Sequence, residues 1–367
     1  MNKEDSLIDE LLETYKEYIP RSERVEVEER RKVLLSQLES SHPAKLLDRI
    51  KLEVRSKDAY YIKDLANDIL LYSQINIDDL LVDWMENGAM CVSSHLFRDA
   101  GPKASEALFK QIENNDSKLE FSCVTHLAWL DDKRAVKQFA LWKNQPPHWS
   151  KEYYLPIDQF SRFAGWELDE NSEKRMLYST KCFALDVAFL ETDPADAEAC
   201  HLCQRPLLHL QIPAGFLDEV IPEAFGFEIL RIPFCNICCR YEYGSMSVLQ
   251  DGKLVLDLEN LYKADVPKWM KKSPKLYGDI ILKRETQSRD PLFAVEDGAK
   301  YKQSQVGGFP TWVQDPEYLK CPTCKQLMFF ILQFTEEEIF DRPGEDTFYV
   351  FFCTFCKDRF YVTQQFT

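Results

Sequence analysis

No apolar run in this sequence approaches the roughly 20 residues of a membrane-spanning helix, which excludes a helical integral membrane protein. The opening residues, MNKEDSLIDELLETYKEYI, put charges where a secretory leader needs its apolar stretch, so a soluble, cytoplasmic protein is expected. Glycine is scarce, at 12 of 367 residues, and proline numbers only 18, which rules out collagen-like and Gly/Pro low-complexity chains. Histidine is scarcer still: six are scattered along the chain, and HExxH, G-x-x-x-x-G-K-[ST], G-x-S-x-G and G-x-G-x-x-G are all missing. A hydrolase or peptidase therefore has no motif to rest on, and a non-enzymatic protein is expected.

A basic surplus is also lacking. Lys and Arg total 45 against 61 Asp and Glu, a net charge of −16, and residues 1–150, 151–198 and 199–367 are each acidic on balance. Such a chain repels phosphate backbones, so nucleic acid is not the expected partner and a basic protein is. What the sequence does have is apolar material, 45% hydrophobic and 13% aromatic, enough to offset the entropy of ordering a chain long enough for two cores.

Residues 1–145 predict helix after helix: LIDELLETYKEYI (7–19), EERRKVLLSQLES (28–40), DAYYIKDLANDILLYSQI (58–75) and KASEALFKQIENN (103–115). The breaks fall at Asn87-Gly88 and Asp99-Ala100-Gly101-Pro102. In HLAWLDDKRAVKQFALWKNQ (126–145), Leu127 and Leu130 end one helix, 131–134 turn, and Ala135-Val136 open the next, the pattern of a HEAT-type repeat. Residues 146–198 hold dense acidity, including Glu167, Asp169, Glu170, Glu191, Asp193, Asp196 and Glu198, and are expected to bridge two domains. From 199 onward short β-type runs take over: LLHLQI, FEILRIPF, MSVLQ, MFFILQF and TFYVFF. The fold class is thus α+β, an all-α HEAT-like domain over 1–145 followed by a mainly β domain over 199–367.

Eight of the twelve cysteines form two quartets, Cys200-x-x-Cys203 with Cys235-x-x-Cys238, and Cys321-x-x-Cys324 with Cys353-x-x-Cys356. Two intervening residues let a tight turn aim both thiolates at one ion, and a second turn completes the tetrahedron that Zn2+ accepts. Two structural zinc ions are therefore expected, closed to water because cysteine fills all four positions. Cys239, beside Cys238, and His201 and His209 near the first quartet are alternative ligands by position. Cys91, Cys123 and Cys182 lie in apolar contexts and read as core. The quartets also resemble each other: in both, a cysteine turn leads into an apolar strand containing Gln211 or Gln333, and a second strand delivers the next turn. A duplicated zinc-ribbon-like unit follows.

QVGGFPTWVQ (305–314), CPTCKQLMFFILQF (321–334) and FYVFFCTFC (348–356) together resemble the YwqG-like family of bacteria and its eukaryotic relatives, the programmed cell death protein 2 group. The resemblance covers 199–367, and the helical half lies outside the family pattern. Many bacterial members lack both quartets, so the paired sites bring this chain nearer the eukaryotic arrangement. Physically, Gly307-Gly308 permits a turn with positive φ, Pro310 stiffens its exit, and Trp312 and Gln314 are expected to alternate as a strand begins. The resemblance implies partner handling, either escort of a client in ribosome assembly or immunity beside a toxin system. Trp312, Gln314 and Gln333 are the candidate partner-binding residues, with a structural corner as the competing reading. The expected function is a zinc-stabilised module that holds or neutralises a basic protein; the alternative is a nucleic-acid or ribosome-associated zinc ribbon, suggested by Lys268, Lys271, Lys272 and Lys275 beside Trp269 and Tyr277.

Overall fold

The computed structural model describes residues 3–16, 19–54, 61–87, 93–113, 121–221, 228–240, 244–258, 275–294, 303–340 and 346–366. The chain divides into two units, residues 1–175 with 298–301, and residues 176–297 with 302–367. Most of the basic cluster at 268–277, and Cys91, lie outside the described residues. Among the described residues no helix is long and apolar enough to cross a membrane.

The first unit is helical: α1 (Lys3–Lys16), α2 (Arg24–Ser41), α3 (Pro43–Val54), α4 (Ile62–Tyr72), α5 (Asp78–Asn87), α6 (Pro102–Glu113), α7 (Phe121–Trp129) and α8 (Lys133–Asn144). Its core comes from one stripe of each amphipathic helix, such as Leu34, Leu35 and Leu38 of α2 and Ala104, Leu108 and Phe109 of α6. Two of the helix starts are capped by carboxylates. Asp132 caps α8 by accepting the Arg134 N–H at 2.8 Å. Pro102 opens α6, whose free N–H groups at Lys103 and Ala104 donate to the Asp78 carboxylate of α5 at 3.0 and 2.9 Å. Gly101 is the residue that fits there, since a Cβ would lie 2.6 Å from Asp78 Oδ2. The buried Arg31 faces the buried Asp68 at 3.6 Å, and Tyr15 donates to the same carboxylate at 2.7 Å, so neither charge is left alone inside.

Two 3-10 turns, His148–Glu152 and Ile157–Ala164, and a two-stranded ribbon, β1 (Trp166–Leu168) with β2 (Lys174–Met176), follow α8. Trp166 packs edge-on against Phe139 at 5.2 Å and donates from Nε1 to the Ala128 carbonyl at 2.7 Å. The segment expected to bridge two domains is therefore structured throughout. Its first part belongs with the helices, and its last part is the strand β3 (Cys182–Glu191) of the second unit. The reason lies in the alternation Phe183, Leu185, Val187, Phe189, which contributes to the sheet's core whatever the charge around it.

The second unit is one ten-stranded sheet. After β3 come β4 (Leu208–Pro213), β5 (Ile229–Phe234), β6 (Ser245–Gln250), β7 (Lys253–Leu256), β8 (Gly278–Arg289), β9 (Gln305–Gly307), β10 (Phe329–Thr335), β11 (Thr347–Phe352) and β12 (Arg359–Gln365). Their order across the sheet is β5-β4-β8-β3-β9-β10-β11-β12-β6-β7. Neighbours run antiparallel except β4 and β8, which are parallel. The outermost strands β5 and β7 also pack together, which gives the sheet a barrel-like curl around a single core. Each strand predicted from 199 onward is present.

β11 is buried on both faces. Phe348, Val350 and Phe352 enter the core, whereas Tyr349 and Phe351 face the other way and are covered by the chain that follows β9. There Gly307 and Gly308 take φ values of +67° and +71°, the left-handed turn expected from their sequence. No strand begins at Trp312: residues 310–319 run without regular structure over the outer face, with Trp312 stacked on Tyr349 at 4.9 Å.

Candidate metal centres

Each quartet is built by the same device. A cysteine turn enters a hairpin strand five residues after its second cysteine, at Leu208 or Phe329, and the returning strand ends immediately before the next cysteine, at Phe234 or Phe352. The register pairs Leu208 with Phe234 and Phe329 with Phe352, so both hairpins deliver their two turns to one end. The turns match in detail: the Cys200 N–H donates to the Arg205 carbonyl and Gln204 N–H to Cys200 O, as Cys321 N–H does to Gln326 O and Lys325 N–H to Cys321 O. Isolated bridges join Ala199 to Pro206 and Lys320 to Leu327 at the same places. The duplication read from the sequence is a duplication of backbone geometry.

The eight cysteines come together as the two expected quartets, with all four sulfurs of each within 4.8 Å of one another. Cys200 and Cys238 sulfurs lie 3.8 Å apart and Cys203 and Cys235 3.5 Å; in the second centre Cys321 and Cys356 are 3.7 Å apart and Cys324 and Cys353 3.5 Å. A disulfide needs about 2.05 Å. Four sulfurs each about 2.3 Å from one ion at a tetrahedron's centre lie about 3.8 Å apart. The spacings are those of tetrahedral edges, so the donor set fits a metal ion. Backbone N–H groups point at the sulfurs as well, Cys238 to Cys235 Sγ at 3.5 Å and Cys356 to Cys353 Sγ at 3.3 Å, and would offset thiolate charge.

Hydrogen bonds from Cys203, and then from Cys235 and Cys238, hold the Cys200 thiol far below its ordinary range, while hydrogen bonding to Cys200 pushes Cys235 and Cys238 well up. A divalent cation that binds four cysteines displaces their thiol protons.

The alternative ligands stand apart from the cluster. Cys239 points the other way, its sulfur 3.4 Å from Ser245 Oγ and 3.3 Å from the Val362 carbonyl, and burial raises its thiol to about 12. His201 is exposed. His209 projects from β4 and faces Asp279 at 3.5 Å, with burial, then the nearby Arg231, lowering its imidazole below the usual value. The two centres differ in cover: all four cysteines of the first are buried, whereas Cys324 and Cys356 of the second are half-buried.

The candidate partner-binding residues do not form one surface. Gln333 is fully buried, which corrects its assignment to a partner: its Oε1 accepts the Thr311 N–H at 2.8 Å and its Nε2 donates to the Gln303 carbonyl at 3.2 Å. Trp312 is half-buried in the aromatic pile of Tyr318, Tyr349 and Phe351. Gln314 is exposed but ties its Nε2 to the Phe366 carbonyl at 2.9 Å. Sequence reasoning passed over Gln305, whose buried amide does similar work: Nε2 donates to Phe309 O at 2.8 Å and Oε1 accepts from Arg289 at 3.0 Å. Its place one residue before the Val-Gly-Gly turn was the available signal.

Comparison with known proteins gives one informative relative: the uncharacterized protein YpfL of Salmonella typhimurium is 30% identical over 316 residues, 80% of this chain and 70% of the relative. No family model matches the chain, and no solved structure matches it significantly.

Proposed function

The chain belongs to the family of YpfL, and we propose that it is a non-enzymatic, zinc-stabilised protein-binding module that holds one basic protein partner in the cytoplasm. The observation that carries this reading is the closure of both donor sets. Four thiolates around each ion leave no position for water or substrate, so Zn2+ there would brace loops rather than supply a hydroxide or polarise a carbonyl. Zinc suits these sites because a d10 ion accepts the tetrahedron the sulfurs already outline, and soft thiolates favour it over Mg2+ or Ca2+.

The partner follows from charge. A net −16 favours a basic client, whether a toxin domain neutralised by an immunity protein or a ribosomal protein held by a chaperone, in line with the resemblance to YwqG-like proteins. The serial helices, read as HEAT-like, would supply an extended face. Metal analysis of freshly purified protein should find two zinc ions per chain, and affinity capture from the native host should recover one basic protein. Association should slow markedly between about 50 and 200 mM salt, with dissociation less affected. Fewer than one zinc per chain, or turnover of a substrate, would overturn the reading.

A further inference from the structure

We infer, resting on the zinc reading, that the second metal centre is a site of oxidative modification. Hydrogen peroxide converts two of its cysteines to a disulfide and frees its ion, while the first centre resists. Because the unit is duplicated, the first centre serves as an internal control. The two share four cysteines, the same C-x-x-C spacing and the same turn hydrogen bonds. What separates them is cover.

In the first centre Cys200, Cys203, Cys235 and Cys238 are between 1 and 8% exposed and cluster with Leu207 and Ile237, with Leu202 and Leu256 packed against them. In the second, Cys321 and Cys353 are buried, but Cys324 and Cys356, the last cysteine of each turn, are half-buried. The turn residues differ in the same sense. Leu202 and Ile237 correspond by position to Thr323 and Phe355, which are both exposed. Each half-buried sulfur also has a buried one across the cage: Cys356 has Cys321 at 3.7 Å, and Cys324 has Cys353 at 3.5 Å.

Cover decides the outcome because the donor atoms are the same. A cysteine bound to zinc is deprotonated, so all eight sulfurs are thiolates, the form that attacks a peroxide. Susceptibility then follows access, and a small oxidant reaches Cys356 and Cys324 from solvent. The Cys356 sulfur attacks one peroxide oxygen; an S–O bond forms as the O–O bond breaks, and hydroxide leaves. The Cys321 thiolate attacks the resulting sulfenic sulfur; the S–S bond forms, the S–O bond breaks, and a second hydroxide leaves. Both hydroxides take protons from solvent, so two thiolates lose two electrons and one peroxide becomes two waters. The two thiolates that remain cannot complete a tetrahedron, and the ion is released. A covalent link then ties the two turns in place of the metal, and a thiol reductant restores the quartet.

The test is a hydrogen peroxide titration of the zinc-loaded full chain at neutral pH. Released zinc is read with a chromogenic chelator, and the cysteines are mapped by differential alkylation and mass spectrometry. Zinc content should fall from two ions to one, with a disulfide among Cys321, Cys324, Cys353 and Cys356 and the first quartet still reduced. Dithiothreitol followed by Zn2+ should restore the second ion. Two single-cage variants are compared: Cys238→Ser, left with the second cage, should lose its ion to peroxide, and Cys356→Ser, left with the first, should keep its ion. If Cys356→Ser does not fold, the map of the parent protein decides alone. Release of both ions together, oxidation of the first quartet before the second, or sulfinic acid without any disulfide would overturn the inference. Protein that holds two zinc ions and keeps both under peroxide refutes the oxidation site alone. Protein purified without zinc refutes the metal reading, and the same map still decides which quartet is oxidised.

Discussion

Gln211 and Gln333 hold the same place in the two hairpins, each opposite the residue four before the next cysteine, Arg231 and Tyr349. They do so although Gln211 lies eight residues beyond Cys203 and Gln333 nine beyond Cys324. A register shift between Phe330 and Leu332 takes up the extra residue. Their duties have diverged: Gln211 donates to Asp279 at 2.6 Å, and Gln333 pins the Thr311 backbone. Gln333→Leu removes the acceptor from the Thr311 N–H and should destabilise the second unit by about 1–3 kcal/mol, read from denaturant midpoints. Zinc content should stay unchanged, since the amide lies away from the cage.

Adjacent cysteines should separate cleanly by substitution. Cys238→Ser opens the first cage and should drop the zinc content from two ions to one, with loss of the β4–β5 hairpin from hydrogen-exchange protection. Cys239→Ser should retain both ions, because that sulfur faces Ser245 and Val362. Equal zinc loss in the two variants would mean that the cage is assembled from different ligands.

The α5–α6 junction depends on one carboxylate. Asp78→Ala strands the Lys103 and Ala104 N–H groups and should cost about 1–2 kcal/mol, seen as an earlier loss of helical circular dichroism on urea unfolding. Asp78→Asn, which keeps an acceptor oxygen, should recover much of the loss.

Acid should weaken the helical unit through His126. Burial lowers its imidazole from 6.5 to about 4, and Nδ1 lies 2.9 Å from Ser94 Oγ. As pH falls below 6.5 the unfolded chain takes up the proton first. The stability this group contributes is therefore intact above 6.5 and is lost progressively toward pH 4, up to on the order of 3 kcal/mol. Urea midpoints of the helical signal should fall more steeply between those pH values in the parent than in His126→Gln. Parallel slopes would assign the acid sensitivity to other groups, and any loss of metal in acid is common to both proteins.

How much of this was legible in the sequence depended on which signal each residue carried. Cysteine spacing is set by the turn that aims two sulfurs at one point, so both cages and their flanking strands could be read directly. β3 was hidden because its last residue Glu191 and the following Asp193 and Glu198 drew attention to charge, although Phe183, Leu185, Val187 and Phe189 alternate as a strand should. β8 pairs with β3 along nearly its whole length, and its Lys283, Arg284, Glu285 and Arg289 break the apolar run by which the other strands were read. Gln333 was misjudged for a different reason. An amide in an apolar strand reads as a functional exception, but here it satisfies a backbone that only the folded loop brings near, and no local pattern encodes that approach.

The two cages sit in unequal parts of the weave. Among the described strands β5 hydrogen-bonds to β4 alone, whereas β10 and β11 are flanked by β9 and β12. Emptying the first cage frees a hem that can peel back while the remaining strands stay joined. Emptying the second cuts through the middle of the fabric and parts the strands on one side from those on the other. On the proposed zinc reading, chelation should therefore cost the sheet more at the second cage, which is also the less covered of the two.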